Sequence, residues 1–172
     1  VQIPGIETRP FLDENYLLAG ASLCGGRAYA VLENFFRQYG KAAGTGDDPQ
    51  YDIMDKILRE TQPEEALLVR TTFQGTRMHP DMRGSIEGIS EENFTPAALI
   101  NGVLRGMARE LYDMYREISE QVKLEAPVLA ASGNGIRKNP WLRKAFEEVF
   151  EKKLALSPYM EEAACGAALS CL

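Results

Sequence analysis

The 172-residue sequence is poor in the residues that build metal centres and nucleophilic sites: it has one histidine and three cysteines. A single histidine, His79, excludes a histidine-rich metal cluster and leaves little room for a Ser/His/Asp hydrolase. Cys24, Cys165 and Cys171 are odd in number and lack the paired spacing of a zinc site or a disulfide framework. We therefore expect reduced thiols, as in a cytoplasmic protein, and no metal ligands.

Basic charge is also in short supply, with 19 lysines and arginines against 25 aspartates and glutamates and a net charge of −6. This balance argues against binding to nucleic acid or a membrane surface through bulk electrostatics. No apolar run is long enough to span a bilayer. The absence of a secretory signal carries little weight, because Val1 is not a natural start and is typical of a fragment or processed product.

The most informative stretch of the sequence is AASGNGIRKNP, residues 130–140. It follows an apolar strand predicted over 127–131 and precedes an amphipathic helix predicted from Trp141 to about Lys152. Gly133 and Gly135 let a ligand approach the backbone closely, and the N–H groups at a helix start favour anions. The pattern favours a phosphate- or nucleotide-binding loop, with an ordinary tight connection between strand and helix as an equally weighted alternative.

Two familiar nucleotide motifs do not occur. A dinucleotide fingerprint needs a third glycine three residues after Gly135, where Lys138 stands, and an acidic residue roughly 20 positions on, where residues 154–157 are not acidic. No G-x-x-x-x-G-K-[ST] sequence occurs, so a P-loop is excluded. A glycine loop of another phosphate- or nucleoside-binding class remains, beside the plain turn.

The order of elements predicts an α/β lobe with a mixed sheet covered by helices. Extended segments at 8–11 and 16–23 suggest an antiparallel pair at the front, and strands alternate with helices in the second half. This order suits a ribonuclease H-like fold without separating it from other α/β domains. The other expected elements are a helix after Gly25-Gly26, a surface loop at 41–50, a helix at 51–61, a strand at 66–73, a loop or hairpin at 74–88, a long helix from Thr95-Pro96 with an apolar stripe reaching Val122, a strand at 153–157 and a last helix from near Tyr159 whose small residues allow another backbone to approach.

Several separated motifs, in order, resemble the C-terminal lobe of the FGGY carbohydrate kinases. The resemblance spans nearly the whole chain, and residues 20–27 and 132–140 look most like the sedoheptulokinase-type branch. The motifs that carry it are Gly75-Thr76-Arg77, the run from Arg83 to Ile89, Asn93-Phe94-Thr95, the helix through Gly102, Gly106 and Met107, the loop at Gly133, and the run from Glu162 to Ala168.

This resemblance implies a ribonuclease H-like lobe of the actin-like ATPase superfamily, in a two-lobed kinase that uses ATP and Mg²⁺ to phosphorylate a sugar, such as the ketose sedoheptulose. It implies that residues 1–172 are the C-terminal, nucleotide-binding lobe. The sugar pocket and the proton-accepting aspartate would lie chiefly in an N-terminal lobe that this sequence lacks. We therefore expect no catalytic residue in this chain and negligible activity from it alone.

The resemblance also implies which residues bind the nucleotide. Gly20 falls beside the phosphates. Gly25 and Gly26 would be its close neighbours, with a simple strand-to-helix junction as the alternative for these two glycines. Cys24 stands where relatives often place a polar residue, which puts a side-chain contact there in doubt.

On the adenosine side, Gly133, Asn134 and Gly135 match the family's glycine loop, with Asn134 replacing a common glycine. Backbone contacts with the nucleotide survive this replacement if Asn134 tolerates a left-handed backbone. Lys138 and Asn139 fall where relatives line the adenine or ribose. The alternatives are a solvated side chain for Lys138 and helix capping for Asn139.

Two other functions remain open at this point. A non-catalytic regulatory or binding module would keep the shape of the lobe without phosphoryl transfer, and an α/β enzyme of another kind would use the glycine loop differently. Arg77 and Arg83 either face the cleft or brace their own loop, with Asp81 as a partner for either.

Overall fold

In the computed structural model, which describes residues 2–12, 14–61, 67–123 and 126–170, the chain divides into two units. The terminal unit comprises Val1–Ala21 and Leu111–Leu172, and the central unit comprises Ser22–Glu110. The elements in chain order are β1 Glu7–Pro10, β2 Tyr16–Ala19, α1 Arg27–Ala42, α2 Tyr51–Thr61, β3 Leu68–Arg70, β4 Ser85–Glu87, α3 Pro96–Val122, β5 Leu129–Ala131, α4 Asn134–Lys138, α5 Pro140–Phe150, β6 Leu154–Leu156 and α6 Glu162–Leu169.

The strands form small ladders instead of the single mixed sheet expected from the sequence. Among the described residues there are three two-stranded sheets: β1 with β2 and β3 with β4, both antiparallel, and β5 with β6, parallel. Each strand has only three or four residues, at the short end of the usual range. The antiparallel pair at the front of the chain is confirmed. Of the two alternatives for 74–88, the long loop is the one observed, because 74–84 contains no strand and β4 pairs with β3, which lies before this stretch.

Local signals predicted the helices well. α2 has the expected bounds, and α3 begins where the Thr95 hydroxyl accepts the Ala98 N–H at 3.1 Å, which is an N-cap. α6 begins at Glu162, three residues after the expected start. Its small residues are exposed, and a Cβ built at Gly166 meets no described atom within 4 Å. The close approach of another backbone to α6 is therefore not seen among the described residues.

Two glycines of α3 allow close packing of helix against strand in the central unit. Gly102 and Gly106 lie one turn apart on α3, facing β3, and a Cβ at Gly102 would stand 2.6 Å from the Leu67 carbonyl oxygen. A Cβ at Gly106 would meet the Val69 carbonyl oxygen even more closely. The helix backbone thus lies directly against the strand. The central unit also buries the side chains of Met54, Leu58, Ile100, Val103 and Leu104.

The apolar stripe of α3 is buried over its first half only. The buried residues of the helix run from Ala97 to Ala108, whereas the stripe positions from Leu111 to Val122 are half-buried. The expectation of a core-facing stripe therefore holds for the part of α3 in the central unit and only partly beyond it.

Aromatic rings and one lysine organise the terminal unit. Tyr115 lies 5.6 Å from Phe150 between ring centroids, and Tyr112 meets Phe150 edge to face. Lys152 donates hydrogen bonds to the Tyr115 hydroxyl at 2.9 Å and to the Ala126 carbonyl at 2.7 Å. The hydrogen bond from Lys152 lowers the pKa of Tyr115 below its ordinary value. These contacts fix the chain just before β5.

Other sequence expectations concern the surface and the thiols. Cys24 is buried, Cys165 is half-buried and both are free, whereas Cys171 and Ala66 lie outside the described residues.

Arg83 braces its own loop by donating to the carbonyls of Pro80 and Met82. Across the described residues, none of the helices combines the length and apolar character needed to cross a bilayer.

We expect Gly106→Ala to lower the free energy of unfolding by about 1–3 kcal/mol, because the added methyl would force α3 away from the β3 backbone. Gly166→Ala is the matched control, since its methyl enters open space on a helix and alanine favours helix by up to about 1 kcal/mol. Urea unfolding of both variants measures the difference. Equal or greater stability of Gly106→Ala would contradict the packing described for α3.

Candidate functional site

The loop after β5 turns on a single glycine. Gly133 has φ 94° and ψ 157°, a conformation that is essentially restricted to glycine, and it caps the start of α4. Asn134, the next residue, lies inside α4 and is not among the residues with positive φ. The left-handed backbone that the sequence comparison raised for Asn134 is therefore not needed, because Gly133 makes the turn.

The face of this loop is open. Gly133, Asn134 and Gly135 are exposed, and a Cβ built at Gly133 or Gly135 meets no described atom within 4 Å. Ile136 is buried, 8% exposed, and anchors α4 in the terminal unit. A ligand can therefore approach the backbone of the loop without meeting a side chain on either glycine.

The junction between α4 and α5 is built by Asn139. Its Oδ1 accepts the Leu142 N–H at 3.0 Å, and Pro140 occupies the first helical position, so the capping role considered from the sequence is the one the structure shows for this oxygen. Lys138 is exposed. Contact of either residue with a nucleotide stays a prediction.

Arg137 and Glu162 connect the loop to α6. The Arg137 guanidinium donates from Nε to Glu162 Oε1 at 3.2 Å and from Nη2 to the Ser157 carbonyl at 2.7 Å, and Nη2 also bonds Glu162 and the Tyr159 carbonyl. The same carboxylate oxygen accepts the Gly133 N–H at 3.4 Å. The hydrogen bond from Arg137 holds the pKa of Glu162 below its ordinary value.

Gly20 also belongs to the terminal unit and lies just after β2. A Cβ there would stand 2.7 Å from the Met114 sulfur and 3.1 Å from Ile6 Cδ1. A larger residue at Gly20 would therefore force the Met114 side chain to shift. Contact of Gly20 with nucleotide phosphates stays a prediction.

Gly25 and Gly26 lie at the start of α1 in the central unit. Gly25 has φ 40°, Gly26 is the N-cap residue, and a Cβ on either meets no described atom within 4 Å. The Ser22 hydroxyl accepts the N–H groups of Gly25 at 2.8 Å and Cys24 at 3.2 Å. Burial raises the pKa of the Cys24 thiol, and a side chain only 4% exposed offers no surface contact at this position.

No group of three or more His, Cys, Asp or Glu side chains able to hold a metal ion occurs in the part of the chain that the structure describes. The site residues named from the sequence thus fall into two sets. Gly20, Gly133, Asn134, Gly135, Lys138 and Asn139 belong to the terminal unit, and Gly25 and Gly26 belong to the central unit.

Comparison with known families decides the assignment of the chain. A sequence model of the C-terminal domain of the FGGY family of carbohydrate kinases matches residues 4–172. This chain belongs to the FGGY family. The family expected from the sequence motifs is thereby confirmed for nearly the whole chain, whereas the branch is not resolved.

Solved structures share the fold of this FGGY domain. Plasmodium falciparum glycerol kinase with ADP is 22% identical, with a TM-score of 0.74 over 95% of this chain and 32% of that one. Xylulose kinase from Bifidobacterium adolescentis is 16% identical, with a TM-score of 0.72 over 90% of this chain and 29% of that one. Ligand-bound xylulose kinase from Lactobacillus acidophilus is 20% identical, with a TM-score of 0.67 over 91% and 30%.

At these identities the likeness shows the fold alone. This chain spans about a third of the length of these kinases. No curated protein sequence matches it significantly.

Sequence reasoning missed Arg137 and Glu162. Arg137 stands inside the glycine loop, and Glu162 begins the small-residue helix. Both residues lie in motifs that the sequence analysis identified, but the sequence assigned neither of them a role. A basic residue in a loop and an acidic one 25 positions later give no signal of contact by themselves. The parallel pairing of β5 with β6 is what brings them together.

Because the pKa of Glu162 is lowered in the folded state, its carboxylate stabilises the fold above the ordinary glutamate pKa of about 4.3, and this contribution is lost as pH falls through the lowered value. We expect Glu162→Gln to lose less stability than the wild type when pH is lowered from 6 to 3. Thermal unfolding midpoints across that range measure it, with the exposed Glu120→Gln as control. Parallel pH profiles for wild type and Glu162→Gln would refute the assignment.

Proposed function

We propose that this FGGY domain is the ATP-binding C-terminal lobe of a two-lobed carbohydrate kinase. The lobe is ribonuclease H-like, of the actin-like ATPase superfamily, and the full protein transfers the γ-phosphoryl of ATP to a sugar hydroxyl with Mg²⁺. The proposal is supported by the family match over 4–172 and by the shared fold with a glycerol kinase whose structure contains ADP. The observation that carries it is the exposed loop after β5, where Gly133 takes a glycine-only conformation.

In this proposal the adenosine lies against the loop after β5. Gly133 and Gly135 present backbone without side chains, and Asn134 is exposed beside them. Lys138 and Asn139 contact the adenine or ribose. An adenine base or a ribose needs such an open surface. A side chain of even one or two carbon atoms at either glycine would occupy the space proposed for the nucleotide.

For the phosphates, we propose Gly20, Gly25 and Gly26, on the strength of the family resemblance. The open space around Gly25 and Gly26 is compatible with close approach by an anion. Mg²⁺ would accompany the phosphates and reduce their negative charge, and we assign it no ligand from this chain.

On the strength of the family resemblance, we place the sugar pocket and the catalytic aspartate in an N-terminal lobe, outside residues 1–172. Phosphoryl transfer depends mostly on positioning and charge stabilisation, so one lobe alone would have negligible activity. A ketose such as sedoheptulose is the proposed substrate, because residues 20–27 and 132–140 resemble the sedoheptulokinase-type branch. The proposed location is the cytoplasm.

A non-catalytic regulatory or binding module that retains the lobe is the competing function. Cys24 favours it, because it is buried at a position where relatives often place a polar residue. The two functions differ in turnover, since a module binds nucleotide without transferring phosphate.

We expect Gly135→Val, in the full two-lobed protein, to weaken ADP binding by about tenfold or more, because the side chain enters the space proposed for adenosine. Gly135 lies in α4 without a positive φ, so the change adds little backbone strain. Gly133→Ala tests the same surface but adds strain of about 1–3 kcal/mol, since φ is 94°.

Gly44→Ala is the control for that strain, because Gly44 has φ 79° and open space outside the proposed site. Calorimetric titration with ADP measures all three variants. Wild-type affinity in Gly135→Val would mean that adenosine does not lie against this loop.

Turnover separates the two functions. We expect the full two-lobed protein to phosphorylate a ketose with ATP, and residues 1–172 alone to show no measurable turnover, because the catalytic aspartate is proposed to lie in the other lobe. A coupled assay of ADP release with a panel of ketoses and polyols measures it. ADP binding without turnover on any of these acceptors would support the non-catalytic module.

A further inference from the structure

The loop proposed to hold adenosine has few anchors of its own. Of the residues from Gly133 to Lys138, only Ile136 is buried, and the two glycines have no side chain with which to pack against the rest of the unit. A short exposed loop of this kind samples many conformations unless other groups hold it, and ordering it on binding would cost affinity. Something in the chain must therefore restrain the loop before a ligand binds.

Arg137 has the geometry for this restraint. Its planar guanidinium presents five N–H donors in a fixed fork, and it serves three different acceptors: the Glu162 carboxylate and the carbonyls of Ser157 and Tyr159. The two carbonyls belong to the turn that follows β6. Arg137 therefore ties the loop after β5 to the turn after the parallel strand beside it.

Glu162 contacts both ends of α4. Its Oε1 accepts from Gly133, which caps the start of the helix, and from Arg137, in the last turn. The side chains of Arg137 and Glu162 are only 16% and 22% exposed, so the pair is partly shielded from water and is stronger than a surface ion pair. Removing one partner leaves the other charge partly buried and unpaired.

We propose that Arg137 and Glu162 form a positioning pair that holds Gly133–Lys138 in the shape that receives the nucleotide. The inference rests on the proposed function and assigns neither side chain a contact with ATP. The pair acts through the backbone: Glu162 fixes Gly133 at one end of α4 and Arg137 fixes the other. Its loss therefore affects nucleotide affinity and leaves the affinity for sugar unchanged.

The experiment uses the full two-lobed kinase with Arg137→Ala, Glu162→Ala and the double variant. We expect the ADP Kd and the KM for ATP to rise about tenfold in each single variant, the size expected for losing a charged hydrogen bond. The KM for sugar should stay within twofold. The double variant should bind ADP at least as tightly as the single variant with the lower affinity, because each change removes the same bridge.

Two further variants make the result specific. Arg137→Lys keeps the charge without the fork, so it should restore only part of the ATP affinity. Arg116→Ala removes an exposed ion pair with Glu120 in the same unit and should leave ATP affinity unchanged. Hydrogen exchange should become faster at 133–139 in Arg137→Ala and not in Arg116→Ala.

The outcomes separate this inference from the proposed function. ADP affinity within twofold of wild type in both single variants, even with a lower unfolding midpoint, would overturn the positioning role while leaving the nucleotide assignment intact. An equal rise in the KM values for ATP and sugar would overturn it too, because it would indicate general loss of structure. Failure of the wild-type kinase to bind ADP would overturn the proposed function and the inference with it.

Discussion

The candidate site depends on the parallel pairing of β5 with β6. The ladder is only three residues long, and the Ser157 N–H extends it by donating to the Ala131 carbonyl at 2.9 Å. In a parallel pair the carboxyl ends of the strands meet at one edge, which is where α/β proteins place their ligands. Here that edge carries the Gly133 loop from one strand and the turn before α6 from the other.

The pairing also brings a set of hydrogen-bond acceptors to this edge, beside the Arg137 guanidinium. The chain leaving β6 presents the carbonyls of Ser157 and Tyr159 and then the Glu162 carboxylate, all of which are acceptors. A guanidinium on the neighbouring loop satisfies this set, whereas a lysine ammonium could not match its planar geometry. One arginine therefore stabilises a loop, a turn and the start of a helix together.

Glycine serves two opposite purposes in this domain. At Gly102 and Gly106 the missing side chain allows α3 to lie on the backbone of β3, so the space is filled by protein. At Gly133 and Gly135 the same missing side chain leaves open space at the surface. Both pairs are glycines within or beside a helix, and only their surroundings distinguish a packing contact from a surface that a ligand can reach.

The sequence by itself determined most of the helices and the family. Capping and periodicity located α2, α3 and α5 within a few residues, because a helix start depends on neighbours three or four positions away, as at Thr95 and Asn139. The order of motifs identified the FGGY domain, and the glycine loop was recognised from local spacing. These features all rest on short-range physics or on order along the chain.

Only the tertiary structure decided the rest. It replaced the expected mixed sheet with three small ladders, moved the required positive φ from Asn134 to Gly133, and gave Gly20 a packing partner in Met114. It also joined Arg137 to Glu162, 25 residues apart. Strand pairing and ion pairs join residues far apart in sequence, and their energies depend on burial and distance, which local sequence does not contain.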